Sequence, residues 1–223
     1  DSIGIDMGIK TLMVCSNGQT FENLNIRKNN EKQLIRLQRQ LSRKVINSKN
    51  RNKARLKLAK KNEKLNNIKM NYIHTITTQL VRENQTVIVE DLNVKGMLKN
   101  RNLSKSLSEL SIHEVFRQLK YKCEWYGRNF IVIDRFYPSS KLCSKCGFKY
   151  SNLKLSERSW VCPECGEAHD RDFNAATNIL LEGNRILGQR LPESTPVDCP
   201  TADDPISNDV LKSSGRLNQE EFI

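Results

Sequence analysis

Four cysteines constrain this chain more than any other feature. They fall in two pairs, Cys143-Ser-Lys-Cys146 and Cys162-Pro-Glu-Cys165, with 15 residues between them, and glycine follows each pair (Gly147, Gly166). Four thiolates at that spacing close a tetrahedral Zn²⁺ site, two ligands from each of two knuckles, and glycine permits the tight turn a knuckle requires. With every position a thiolate, none stays open for substrate, so the zinc is expected to be structural. His169 lies near enough to compete as a ligand, but a full set of four cysteines leaves it no place. Cys15, Cys123 and Cys199 are scattered, and seven cysteines is an odd number for a chain this long and lysine-rich. A secreted disulfide framework would be short and even in cysteine count. Reduced thiols and a cytoplasmic location are expected, with Cys15 and Cys123 as core residues.

A zinc ribbon says only that a small module is folded, so function must be sought in the charges. The 223 residues carry 37 Lys and Arg against 25 Asp and Glu, a net charge of +12, which points to a polyanion partner, most simply nucleic acid. No apolar run approaches the roughly 18 residues of a spanning helix, so no membrane role is expected. The positive charge is concentrated: between Arg27 and Lys64 there are 15 basic residues and two Glu. Leu34, Leu37, Leu41 and Val45 form a helical stripe, which Asn, Ser and Lys interrupt near 47–52. A second stripe runs through Leu65, Ile68, Tyr72, Ile76 and Leu80. The pattern predicts two long helices in a hairpin, with an apolar seam and a basic outer face. On that face Arg36, Arg39, Arg43, Lys44, Arg51, Lys53 and Arg55 are expected to grip phosphate, with binding that weakens steeply with salt. The end of the chain differs. From 189 onward seven acids face three bases, and a disordered tail is expected over 189–223.

Strands and acids alternate through the rest. Residues 1–22 read as two or three meandering strands, with Asn17-Gly18 as the hairpin turn. TVIVEDL at 86–92 and FIVI at 130–133 read as buried strands, and 97–110, polar and Ser/Lys-rich, reads as a loop. Residues 111–127 fit a helix presenting Val115, Leu119 and Cys123, stopped by Gly127, and a last helix runs from about 172 to a stop at Gly183. Three acids sit where packing does not ask for them: Asp6 after Ile3-Gly4-Ile5, Glu90 after Val87-Ile88-Val89, and Asp172 at the start of the last helix. Alternation puts Asp6 on the face opposite Ile5, with Gly4 and Gly8 leaving room around it. Converging carboxylates beside a basic groove are what Mg²⁺ ions need to hydrolyse a phosphodiester. Asp91 neighbours Glu90 but faces the other way, and Asp170 competes with Asp172 unless it is the helix N-cap. Tyr72, Tyr121, Tyr126, Tyr137 and Tyr150 lack the flanking His/Arg cluster a tyrosine recombinase would use.

GIDMG at 4–8, VIVEDL at 87–92, YPSSKLCSKCG at 137–147 and HDRDFNAATNI at 169–179 resemble, in order, the motifs of the TnpB family, the OrfB-type transposon-encoded proteins related to type V CRISPR effectors. The resemblance covers roughly residues 1–188. It implies an α/β chain of RNase H-like (RuvC) fold, a mixed sheet with helices, interrupted by a helical hairpin and a four-cysteine zinc ribbon. The corresponding segments are 1–29, 84–140 and 169–188 for the RuvC-like parts, 30–83 for the basic hairpin, and 141–168 for the ribbon. It further implies that Asp6, Glu90 and Asp172 are catalytic and bind Mg²⁺, two ions acting together. Implied partners are a DNA target and a guide RNA from the transposon end. Family proteins carry a region before the first motif that helps hold the guide; here that motif begins at residue 4, so a fragment is expected. The expected function is a metal-dependent DNA endonuclease, and the alternative is an inactive zinc-ribbon nucleic-acid-binding fragment. In the first case the ribbon delivers the chain straight into the helix bearing the third acid.

Overall fold

A mixed five-stranded sheet, ordered β3-β2-β1-β4-β5, carries the molecule. The structure is a computed structural model that describes residues 1–154 and 156–190. The expected tail therefore lies outside the described residues, save for 189 and 190. β1 (Ser2–Asp6), β2 (Thr11–Cys15) and β3 (Thr20–Glu22) form the antiparallel meander that Asn17-Gly18 announces, with Gly18 at φ 86°. β4 (Thr86–Glu90) returns parallel to β1, and β5 (Asn129–Ile133) lies parallel to β4.

Parallel strands need long crossovers and covered faces, and both are present. The first crossover holds α1 (Ile26–Asn29), α2 (Glu31–Ser42) and α3 (Lys49–Glu83); the second holds α4 (Val94–Leu98), α5 (Arg101–Leu110) and α6 (Ile112–Trp125). On one face Ile3, Ile5, Val87 and Val89 pack with Ile73, Ile76 and Leu80 of α3 and with Val115, Leu119 and Cys123 of α6. Cys15 and Cys123 are fully buried there, as expected. Between α3 and α6 the Lys122 ammonium is buried but satisfied. It donates to Thr77 Oγ1 (2.7 Å), Thr78 Oγ1 (2.8 Å) and the His74 carbonyl (2.9 Å). The opposite face is covered by α7 (Arg171–Arg190), whose Ile179 joins Ile88, Ile131 and Ile133.

Four expectations are corrected. Residues 97–110 are largely helical, because Leu107 and Leu110, three apart, are buried in the core. β5 is an edge strand, so FIVI is buried only on alternate residues and Val132 stays 43 % exposed. The hairpin stripes end sooner than their spacing suggests. Val45 sits at 77 % exposure beyond the end of α2, and Ile68 at 44 % lies off the buried line of Leu65, Ile73, Ile76 and Leu80. Finally, Gly183 does not stop α7. A Cβ on it would stand 2.3 Å from Ile88 Cγ2, so this glycine serves close helix–sheet packing. Gly4 does the same from the strand side, where a Cβ would stand 2.3 Å from the Ala176 carbonyl oxygen.

Candidate functional site

β1 and β4 lie side by side with Ile5 opposite Val89, and one residue later Asp6 and Glu90 end their strands. Both share parity with Gly4 and Ile88, which face α7, so both carboxylates leave the sheet on that side. This is the carboxyl end of the parallel strands, where open α/β sheets place their sites. α7 begins at the same end, with Asp172 as its second residue.

Asp6 feels the charges of the other two acids. Burial pushes the Asp6 carboxyl up to about 7, and the charges of Asp172 and then Glu90 add to the rise; Arg171 opposes it. Burial also raises Glu90, partly offset by the hydrogen bond it accepts from Ser139 Oγ at 3.1 Å. Carboxylates that repel in a half-buried site fit a hard divalent cation, which takes oxygen ligands and removes the repulsion.

Neighbouring acids sort by geometry. Asp170, at the end of β7 (Ala168–Asp170), turns its Oδ1 to the backbone N–H groups of Asp172 (3.1 Å) and Phe173 (3.0 Å). It is the N-cap of α7, and its carboxylate is engaged in that role. Asp91 pairs with Arg135, though its charge still adds to the rise of Glu90. Asp172 instead accepts from Arg158 Nη1 at 2.9 and 3.2 Å, and Arg171 Nε lies 3.4 Å from its Oδ1. Arg158 belongs to the segment between the cysteine pairs and went unnoticed in the sequence; an arginine next to β6 (Ser159–Val161) carries no spacing signal.

The four cysteine sulfurs lie within 4.8 Å of one another, with 3.6 Å between Cys143 and Cys165 and between Cys146 and Cys162. A tetrahedral Zn²⁺ with Zn–S bonds of about 2.3 Å sets its sulfurs about 3.8 Å apart, so the donor set could hold zinc. The two knuckles repeat one hydrogen-bond pattern. Gly147 N donates to Cys143 O and Cys143 N to Phe148 O; Gly166 N donates to Cys162 O and Cys162 N to Glu167 O. Both glycines have positive φ, 76° and 71°. His169 borders the four-cysteine group without belonging to it: its Nε2 lies 3.1 Å from Cys143 Sγ as a hydrogen-bond partner, and its ring packs on Trp160.

Two residues tie the ribbon to the acids, and the sequence reading passed over both roles. Asn174 and Asn178, four apart on α7 and nearly fully buried, reach into the segment that leads to the first knuckle. Asn178 Nδ2 donates to the Ser139 and Leu142 carbonyls (2.7 Å each). Asn174 Nδ2 donates to Leu142 O (2.7 Å), and its Oδ1 accepts from Ser144 N (3.0 Å). Ser139 is the residue that bonds Glu90, so the clasp runs from α7 through 139–144 to both the knuckle and the second acid. Two amides four apart among Ala175, Ala176 and Ile179 were the available signal, because a polar pair on an apolar helix face must find buried partners.

The basic residues lie apart from this centre, on the hairpin. Arg36, Arg39, Arg43, Lys44, Lys53 and Arg55 are exposed. Arg51 differs: its Nη1 donates to the Leu41 (3.3 Å) and Lys44 (3.2 Å) carbonyls, closing the turn after α2. Before Leu65, α3 has no buried residue, and α2 has only Leu34, so this end of the hairpin presents charge on most sides.

Residues 1–101 match the OrfB_IS605 family model, described as "Probable transposase", and residues 113–179 match the "Cas12f1-like, TNB domain" model. The chain belongs to the TnpB family, of OrfB type. It is 44 % identical over 182 residues to a "Putative RNA-guided DNA endonuclease" of Streptomyces pristinaespiralis, covering 82 % of this chain and 45 % of that protein. It is 33 % identical to "Putative RNA-guided DNA endonuclease InsQ" of Escherichia coli strain K12, covering 87 % of this chain and 52 % of that protein. The TnpB-family chain thus spans about half the length of the curated relatives it matches. In shape it is similar to a chain of the cryo-EM structure of the Cas12f1–sgRNA–target DNA complex. That match has a TM-score of 0.58 at 20 % identity and covers 80 % of this chain and 49 % of the other. Among the described residues no helix is long and apolar enough to cross a membrane.

Proposed function

We propose that this chain carries the nuclease centre of a TnpB-type protein, an RNase H-like (RuvC) unit that hydrolyses DNA phosphodiesters with two Mg²⁺ ions held by Asp6, Glu90 and Asp172. In this reading segments 1–29, 84–140 and 169–188 form the nuclease, and 30–83 and 141–168 are its insertions. The observation that carries it is that Asp6 and Glu90 end neighbouring parallel strands on the face α7 covers, with Asp172 in the first turn of α7, and that burial and then the charges of Asp172 and Glu90 push Asp6 up to about 7. Mg²⁺ bound there would supply a polarised water and neutralise charge on the leaving oxygen. The chain's own residues set the geometry. Asp6 and Glu90 project from rigid neighbouring strands, Ser139 orients Glu90, and the Asp170 cap fixes the first turn of α7 under Asp172. Arg158 pairs with Asp172, and its guanidinium would be placed to meet a phosphate oxygen of a bound strand. Zinc in the four-cysteine ribbon has a structural task, holding the segment that Asn174 and Asn178 clasp. The partners, by this reading, are a DNA target and a guide RNA from the transposon end. What supports the DNA and RNA assignment is the exposed basic hairpin together with the names of the relatives.

The test is cleavage of labelled single-stranded and duplex DNA with Mg²⁺, comparing wild type and Asp6→Ala, with and without RNA from the flanking element. Metal-dependent cutting that disappears in Asp6→Ala supports the proposal. Salt-sensitive binding with no cutting under any condition would make the chain a binding module instead.

A further inference from the structure

At the root of the basic hairpin lies a cavity of about 300 Å³ that the nuclease reading does not use. It is walled by the loop before α1, by α3 and by the end of α5. Its floor is apolar, with Leu12, Leu65, Ile73 and Leu110 all buried. Its rim is rich in amides. Asn23 and Asn25 are locked to each other by hydrogen bonds of 3.1 and 2.9 Å, with Asn25 held at φ 47°. Asn66 stands at the rim on the exposed side of α3, and the Tyr72 hydroxyl is pinned to the Glu22 carbonyl at 2.9 Å. Charge of both signs lines the same space: Arg27, Lys69 and Glu109. Burial and Arg27 lower the Lys69 ammonium, and Glu109 partly restores it. Glu109 Oε1 is buried and accepts no hydrogen bond among the described residues.

An acceptor left in that state calls for a donor from a ligand. An apolar floor with a polar edge suits a heteroaromatic ring, and about 300 Å³ is the lower end for small-molecule sites, enough for one nucleotide. Sequence-specific reading of single strands works by extruding a base and bonding its Watson–Crick edge. Of the four bases, guanine offers two adjacent donors there, N1–H and the 2-amino group, which match a carboxylate. Its O6 acceptor then suits Lys69 or Asn66. Adenine and cytosine would turn a ring-nitrogen acceptor toward Glu109, and uracil offers a single donor. Arg27 at the rim suits the phosphate.

We propose that this cavity binds an unstacked guanine of the nucleic acid that the basic hairpin holds. The inference rests on the nucleic-acid half of the reading above and is independent of the acids.

Isothermal titration of the full chain with GMP, AMP, CMP and UMP, without divalent metal, tests it. The expected result is 1:1 binding of GMP at least about tenfold tighter than of the other three. Glu109→Gln should abolish the preference, and Asn66→Trp, which fills the cavity from an exposed helix position, should abolish binding at unchanged Tm. No GMP binding, equal affinity for GMP and AMP, or an unaltered preference in Glu109→Gln would each overturn it. The acid centre is tested independently, because Mn²⁺ loading at the acids requires no nucleotide. Mn²⁺ loading with no GMP binding sinks the cavity alone, and GMP binding with no Mn²⁺ loading sinks the metal centre alone.

Discussion

Replacing Gly4 by alanine tests whether the contact between helix and sheet sets the acid centre. The new Cβ would stand 2.3 Å from the Ala176 carbonyl oxygen, 2.6 Å from Leu180 N and 2.9 Å from Leu180 Cα. All three are helix backbone, so no rotamer change relieves the clash. A carbon–oxygen contact relaxes at about 3.3 Å, so α7 must retreat by about 1 Å where it crosses β1. The strand cannot yield in its place, since β2 and β4 pair with β1 on both sides. Overpacking of this kind costs about 1–3 kcal/mol, and a backbone obstacle puts Gly4→Ala at the upper end. For a unit of this size that is a fall in Tm of about 6–12 °C. Asp172 lies one helical turn before Ala176, so the retreat also carries the third carboxylate out of register. Mg²⁺ tolerates little departure from oxygen distances of about 2.0–2.1 Å, so metal affinity should fall along with stability. The assay is thermal denaturation with and without Mn²⁺. Gly188→Ala on the same helix is the control, because its Cβ meets nothing within 4 Å. A Gly4→Ala protein with wild-type Tm and a wild-type metal-induced Tm shift would refute the reasoning.

Other expectations follow from the same geometry. Asp6 has a folded pKa of about 7 against an ordinary 3.8, so the metal-free fold loses stability as pH rises from about 4 through 7 and keeps it below. A three-unit shift corresponds to on the order of 4 kcal/mol, so metal-free Asp6→Asn should melt higher than wild type at pH 8 and no higher at pH 4, as read by Tm against pH. Asn178→Ala removes two buried hydrogen bonds and leaves the Ser139 carbonyl without its Asn178 partner, costing about 2–3 kcal/mol in chemical denaturation. Zinc removal should unpack the cluster of Cys143, Leu153, Trp160 and Cys162. Since Trp125 is already 77 % exposed and Trp160 only 6 %, a red shift of tryptophan emission on adding a strong chelator reports that unpacking, and an unchanged spectrum would count against it.

Sequence reading reached the residues whose chemistry leaves a spacing or a charge in the wrong place. The cysteine pairs, Asp6 and Glu90 at strand ends, the Asn17-Gly18 turn and the core positions Cys15 and Cys123 are of this kind. It also read Asp170 as a cap candidate, and the two backbone hydrogen bonds it accepts show that role. What it missed depends on tertiary contact. Gly183 looks like a helix stop until Ile88 is set against it. Leu107 and Leu110 look like loop residues until the core lies beneath them. Arg158 and the Asn174–Asn178 pair gain meaning only when the ribbon is folded onto α7. Arg51 could not be told from its basic neighbours before its carbonyl partners on the α2 turn were in view.

Whether Asp6, Glu90 and Asp172 form one cation site is tested most directly by titrating the metal-free chain with Mn²⁺, followed by electron paramagnetic resonance. The measurement requires no guide, target or turnover. Saturable Mn²⁺ binding is expected, competed away by Mg²⁺ and weakened by each of Asp6→Ala, Glu90→Gln and Asp172→Asn, while Asp170→Asn leaves it largely in place. Binding that is absent, or that survives Asp6→Ala unchanged, would contradict a shared site.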